Sequence, residues 1–470
     1  MASGIVICGL APHPAIIIPE VGRGEERKTE ATLRAMDRLA SAFIKSKIET
    51  LLVITPHGPV FRDAVSIRGE EEHYGDLAAF GAPAVQIGYP DDPELALAIV
   101  EETFPDPDTP VVLLDEAKRL GYGIEKELDH GVVVPVSFLG RKGFTGRLVV
   151  VNIGFLSLLN LYKVGIAVEK ACRRLGRRVG VLASGDLSHR LIDDAPAGYS
   201  PKGTVFDERL VGLLRDFEPS KIITLPGDLI EEAGECGLRP ISLMLGVLDR
   251  WDVKSEVLSY EGPFGVGYSV ALFTPRGGSG SSRLDQINAL RDERMSRLRR
   301  NESFPVLLAR ATVEEYVKIG EVPPLPEEIP TEFGRTGGVF VSIHSEGDLR
   351  GCIGTTEGTT PNLATEIVSN AVSAATRDPR FEPIVASELD TLDYSVDVLS
   401  PHEPVDSMAD LDPKVYGIIC EKGRRRGLLL PDLPGVDTAE EQISIAKRKA
   451  GIREREKDVR LYRFTVTRYR

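Results

Sequence analysis

Short, fully apolar runs alternate with amphipathic stretches through the first half of the chain. Residues 4–10, Thr50–Thr55, 147–153 and Val179–Ala183 read as strands buried on both faces, because none shows the polar alternation of a half-solvated strand. Between the first two, Leu33, Met36, Ala40, Phe43 and Ile44 recur at three- and four-residue spacing, the face of a crossover helix. A strand, a helix and a second strand of this kind make a right-handed βαβ unit, with the two strands parallel and their carboxyl ends at one edge. Helices are expected over about 160–175 and near 206–216, and Ile241, Met244, Leu245 and Leu248 give another helical face. Residues 255–274 alternate as β-structure does and close the domain. This rhythm predicts an α/β domain with a mostly parallel sheet over residues 1–274.

The rhythm then breaks. Pro275-Arg276-Gly277-Gly278-Ser279-Gly280-Ser281-Ser282 reads as a flexible Gly/Ser linker, placed at 275–283. Residues 284–470 follow as a second domain. It opens with a charged helix over about 284–301 and carries helical sequence over 361–377 and near 438–450. Its β-like stretches are 394–400, 427–431 and 460–469. Strands and helices mix there without βαβ order, so α+β is the expected class.

Composition narrows the function without naming it. The 470 residues are 42% hydrophobic and 27% charged, ordinary for folded domains. A net charge of −14 argues against sequence-independent nucleic-acid binding. Arg424-Arg425-Arg426, the one basic cluster, is expected to be a solvated turn. Cys8, Cys172, Cys236, Cys352 and Cys420 are widely spaced and form no C-x-x-C pair, so they are read as reduced thiols of a cytoplasmic protein. No apolar run is long enough to span a bilayer, and the apolar start, from Met1, is read as a first strand and not a signal peptide.

Candidate chemistry lies where the strands end. The first run leads into Ala11-Pro12-His13-Pro14 and the second into Pro56-His57-Gly58-Pro59, the same sequence of strand, proline, histidine and turn. Leu128-Asp129-His130-Gly131 precedes another apolar run, and Val179–Ala183 leads into Ser184-Gly185-Asp186-Leu187-Ser188-His189-Arg190. Ligands of open α/β sheets bind at the carboxyl edge, where these imidazoles are expected to converge. Glu235, in a glycine-flanked turn entering a helix, can aim a carboxylate inward. Two histidines and one carboxylate suit Fe(II) with open positions. His73, in polar loop sequence, is given no role.

The stretches A-P-H-P, T-P-H-G, L-D-H-G-V-V-V-P and S-G-D-L-S-H, in this order over about residues 4–274, resemble the class III extradiol ring-cleaving dioxygenases. The resemblance implies Fe(II) held by His13, His57 and Glu235, with His189 as acid/base and His130 lining the substrate and oxygen pocket. It implies a catecholic substrate and O2, with the ring opened beside the diol. The same resemblance includes the Memo proteins, which share the fold but carry a cysteine where the dioxygenases have their carboxylate. Glu235 and Cys236 are adjacent, so either is open as third ligand. A thiolate would favour copper or zinc and a metal-binding scaffold or modification-pathway protein without oxygenase turnover.

In the second half, L-R-G-C-I-G-T and D-P-R-F resemble the AMMECR1 domain over about residues 285–470. Cys352 is a candidate nucleophile beside Arg350, since a guanidinium lowers a thiol pKa, or else a small buried cysteine in a tight strand turn. Arg350, Asp378 and Arg380 make either a polar pocket or a structural ion-pair network. A chain joining both domains resembles the family of protein A of the so-called AmmeMemoRadiSam system, which implies Memo-like and radical-SAM partner proteins. Homodimerisation rests on the fold resemblance alone.

Overall fold

A computed structural model describes residues 4–278, 280–345, 348–405, 407–433 and 436–470. Met1–Ser3 of the expected first strand, Ser279 of the expected linker and Gly347, just before L-R-G-C-I-G-T, lie outside them. The chain divides into two compact units, Met1–Arg291 and Asp292–Arg470.

The first unit contains ten strands: β1 (Gly4–Ala11), β2 (Thr50–Thr55), β3 (Val65–Arg68), β4 (Glu72–Leu77), β5 (Ala82–Pro90), β6 (Val111–Leu114), β7 (Arg147–Asn152), β8 (Arg178–Ser184), β9 (Asp252–Glu261) and β10 (Tyr268–Gly277). Eight form one sheet in the order β6-β3-β7-β2-β8-β1-β10-β9, while β4 and β5 make a separate antiparallel pair. The centre, β7-β2-β8-β1, is parallel. The β3–β6 pair is parallel as well, and the β3–β7, β1–β10 and β10–β9 pairs are antiparallel, so four of the seven pairs are parallel and the sheet, mostly parallel as expected, is mixed toward its edges. The antiparallel pairs lie outside the βαβ core, where apolar runs carry no sign of strand direction.

All six residues of β2 are buried because helices cover both faces. Leu52 and Ile54 point into the core shared with the helices Leu158–Leu175 and Leu238–Val247. Leu51 and Val53 point into the core shared with the helices Glu30–Lys45 and His130–Arg141. The apolar run after His130 is thus a buried helix, an outcome periodicity alone does not separate from a strand. The expected linker begins inside β10, and at its far end Arg283 donates its N–H to Asp249, while Ile287 just past it joins the first core. The segment is therefore anchored at both ends.

The second unit holds two antiparallel sheets. One is β12 (Asp348–Thr355), β11 (Val339–Ser345), β13 (Leu392–Leu399) and β18 (Val466–Tyr469). The other is β14 (Glu403–Pro404), β17 (Arg460–Phe464), β15 (Gly417–Lys422) and β16 (Arg425–Leu429). Residues of the helices Phe304–Ile319 and Leu363–Thr376 share the core of the first sheet, and those of the helix Ala439–Lys449 share that of the second.

Candidate metal centre

β1, β2 and β8 end side by side and deliver His13, His57 and the Asp186–His189 segment to one edge; the start of the helix His130–Arg141 adds His130. Ring nitrogens of His13, His57 and His130 all lie within 4.8 Å of one another, with His13 buried and His57 on the open side. His57 stacks on His130 at 4.6 Å between ring centroids, and Phe80 packs edge-on against His130. Burial holds the imidazoles of His13, His57, His130 and His189 below the ordinary histidine pKa; their mutual proximity adds to this for His13, His130 and His189. Neutral imidazoles keep a lone pair for a metal.

Counting protons fixes the tautomer of His13. Ser184 Oγ donates its single proton to the Gly131 carbonyl, so at 2.9 Å it must accept from His13 Nδ1–H. His13 Nε2 therefore carries the lone pair and faces His57 Nε2 at 2.9 Å. Orientation of one ring nitrogen by a partner on the other is how metal-binding histidines are commonly held. Thr55 Oγ1 donates to Asp129 and accepts from the His57 N–H, which ties the His57 turn to the residue preceding His130. The donor set and its fixed tautomer fit a transition metal.

Glu235 and Cys236 take different directions. Glu235 Oε2 accepts the Leu238 N–H at the start of the helix Leu238–Val247, and burial raises its carboxyl to about 7. Cys236 Sγ lies 3.6 Å from His13 Nε2. Asp186 also approaches: Oδ1 accepts the His13 N–H and Oδ2 lies 3.9 Å from His13 Nε2. The histidines thus have Cys236 and Asp186 beside them, and Glu235, the expected carboxylate, serves the helix end. His189 Nε2 is buried without a hydrogen-bond partner. A cavity of about 290 Å³ opens beside His57, bounded by Arg68, Glu127, Asp129 and Asn152 among others.

His73 is not a loop residue. It lies on β4, 2% exposed, 3.0 Å from Asp91 and 3.8 Å from Glu70, which also faces Arg68 and Arg119. The alternation of His73, Gly75 and Leu77, all inward, was the available signal.

In the second unit, the guanidinium of Arg350 pairs with Glu388 rather than with the Cys352 thiol. Asp378 accepts the Cys352 N–H and pairs with Arg380, whose Nη2 also reaches the Cys352 carbonyl. Ser342 Oγ donates to Cys352 Sγ at 3.2 Å. These partners form an ion-pair network around the strand. Arg425 and Arg426, expected in a solvated turn, lie on β16 and pair with Glu456 and Glu357.

Comparison with known proteins adds the family. The family described as the catalytic LigB subunit of aromatic ring-opening dioxygenase matches residues 8–271, and AMMECR1 matches residues 306–469. The chain belongs to the LigB family and carries an AMMECR1 domain at its C-terminal side. A protein of Clostridium acetobutylicum is 38% identical over 98% of this chain and 98% of its own length, so the fused arrangement recurs. Shorter relatives match about a third of this chain. One from Thermotoga maritima is 57% identical over 34% of this chain and 92% of its own length; one from Methanothermobacter thermautotrophicus is 41% identical over 34% and 88%. Among the described residues, no helix is long and apolar enough to cross a membrane.

Proposed function

We propose that the LigB-family domain binds a transition metal through His13, His57 and Cys236, with His130 facing the same centre, as a Memo-like metal-binding protein. The observation that carries this reading is the divergence of two neighbours: Cys236 Sγ is turned to His13, and Glu235 is engaged by the Leu238 N–H. A thiolate beside imidazoles favours zinc or copper over ferrous iron. Metal analysis of anaerobically purified full-length protein tests it. Zinc or copper lost in Cys236→Ala and retained in Glu235→Ala is expected; iron lost only in Glu235→Ala would contradict it.

A second reading, Fe(II)-dependent extradiol cleavage of a catecholic ring, is favoured by the LigB match and by His189. Ferrous iron would supply the oxygen-activating chemistry. His189 Nε2, buried and unpartnered, would hold or pass the proton, and the cavity beside His57 would orient the ring. Oxygen uptake by iron-loaded protein with catechol, abolished in His189→Ala, is the outcome that would favour this reading over the first.

A further inference from the structure

The turn that carries Glu235 and Cys236 crosses the segment that carries Asp186, glycine on glycine. Gly185 is the first residue after β8, and Gly237 is the residue that enters the helix Leu238–Val247. A Cβ on Gly185 would stand 2.3 Å from the Gly237 Cα, and one on Gly237 would stand 2.8 Å from the Asp186 carbonyl oxygen. Both obstacles are backbone atoms, which cannot swing aside as the end of a side chain can. Neither glycine has a positive φ, and Gly237, at φ −88° and ψ −22°, has angles open to any residue. What requires glycine here is the closeness of the two segments.

The crossing acts differently on the two neighbours. It lays Cys236 against Asp186: the Cys236 N–H donates to the Asp186 carbonyl at 3.4 Å, and the Asp186 N–H donates to Cys236 Sγ at 3.3 Å. Asp186 in turn accepts the His13 N–H at 3.0 Å, and Sγ arrives 3.6 Å from His13 Nε2. Glu235 is turned the other way. A helix start leaves N–H groups without intrahelical partners, and a side chain on the residue before the helix commonly accepts one of them. Gly237 holds that position with no side chain, and Glu235 Oε2 accepts the Leu238 N–H instead.

We propose that Gly185 and Gly237 are positioning residues that assign Cys236 to the metal and Glu235 to the helix start. The inference rests on the metal reading and adds what determines the third ligand. Enlarging either glycine would part the two segments and draw Sγ away from His13, with every metal-binding group still present.

The test is a double-variant cycle on the full-length protein: Gly185→Ala, Cys236→Ala and the two together, with zinc affinity measured by competition against a chromophoric chelator. Gly185→Ala alone is expected to weaken zinc binding by about 10–100-fold, the scale of losing support for a ligand. With Cys236 already replaced by alanine, the same change should cost less than about twofold. Equal losses in both backgrounds would show an effect on the fold at large and overturn the proposal. A second readout needs no metal. Alkylation of Cys236 by iodoacetamide in chelator-treated protein, followed by peptide mass, should run at least about tenfold faster in Gly185→Ala than in wild type, because Sγ loses the Asp186 N–H and its cover. Equal rates would also overturn it. Gly237→Ala, the milder clash, carries both measurements if Gly185→Ala does not fold. Wild type that takes up no zinc would sink the metal reading, with the alkylation rates still deciding the positioning; zinc bound with equal alkylation rates would sink the positioning alone.

Discussion

Asp186 and Asp378 occupy similar positions in the two units. Each is a buried carboxylate hydrogen-bonded to the backbone beside a cysteine, yet their surroundings are opposite. Asp186 accepts the His13 N–H, and burial raises its carboxyl to about 7. Asp378 accepts the Cys352 N–H but also holds the Arg380 guanidinium, which draws its pKa well below the usual carboxylate range. Around Cys352 the neighbouring charges are matched within the fold: Arg350 with Glu388, Arg380 with Asp378, Arg468 with Asp397. Around Cys236 the groups are imidazoles and a carboxyl whose pKa burial raises, with no cation paired to it, and His189 Nε2 is unpartnered. A cluster that compensates its own charge reads as structure; one that leaves donors and lone pairs uncompensated reads as a site for something else.

The largest effect separating the two regions should be on metal affinity. His13→Ala is expected to weaken zinc binding by about a thousandfold or more, the scale of losing a ligand outright, while Cys352→Ala leaves it unchanged. Competition against a chromophoric chelator measures both. Equal losses would erase the distinction.

The next effect is on pH dependence, where buried and ion-paired carboxylates should give opposite slopes. Asp207 accepts from the Ser188 N–H and the Tyr260 hydroxyl, but burial still lifts its pKa to about 6. The native state then holds this proton where the unfolded chain has lost it, so stability falls as pH rises from about 4 to about 6 and is level above. Asp207→Asn should remove that fall, on the order of 3 kcal/mol. Asp378 works the other way: its stabilisation is present above the unfolded pKa near 4 and is lost as pH drops below it. Trp251, the single tryptophan, reports denaturation of the first unit. A Trp251 transition with the same pH slope in wild type and Asp207→Asn would refute this assignment.

Smaller again is the loss expected from the hydrogen bond behind His13. Ser184→Ala removes the acceptor that fixes the imidazole tautomer and should weaken metal binding by about 10–100-fold, with Ser184→Thr restoring most of it. Nitrogen chemical shifts of His13 in the metal-free protein provide a separate readout: Nδ1 protonated in wild type, a tautomer mixture in Ser184→Ala. The smallest effect is on the second unit, where Asp378→Ala should cost about 1–3 kcal/mol through the Cys352 N–H left without its acceptor and the loss of the ion pair with Arg380.

Much of the first unit was legible because its central strands are buried on both faces and end in histidines. Backbone periodicity then places His13, His57 and His189 at one edge without reference to distant contacts. The choice between Glu235 and Cys236 was not legible. They are consecutive residues in a turn, and the backbone angles there decide which side chain turns toward β1. His73 was missed because its partners, Asp91 and Glu70, are brought to it by the β4–β5 pairing and a short loop, which a polar local sequence does not reveal. Around Cys352 the sequence suggested an activating Arg350, but Glu388, 38 residues further along, claims that guanidinium. Long-range ion pairs of this kind have no local signature.

The central claim, that the histidine edge holds a metal with Cys236 as a ligand, is tested most directly by the absorption spectrum of the cobalt-substituted protein. A near-ultraviolet thiolate-to-cobalt band in wild type and in Glu235→Gln, absent in Cys236→Ser, is the predicted result. Cobalt bound without that band, or a band that survives Cys236→Ser, would contradict it.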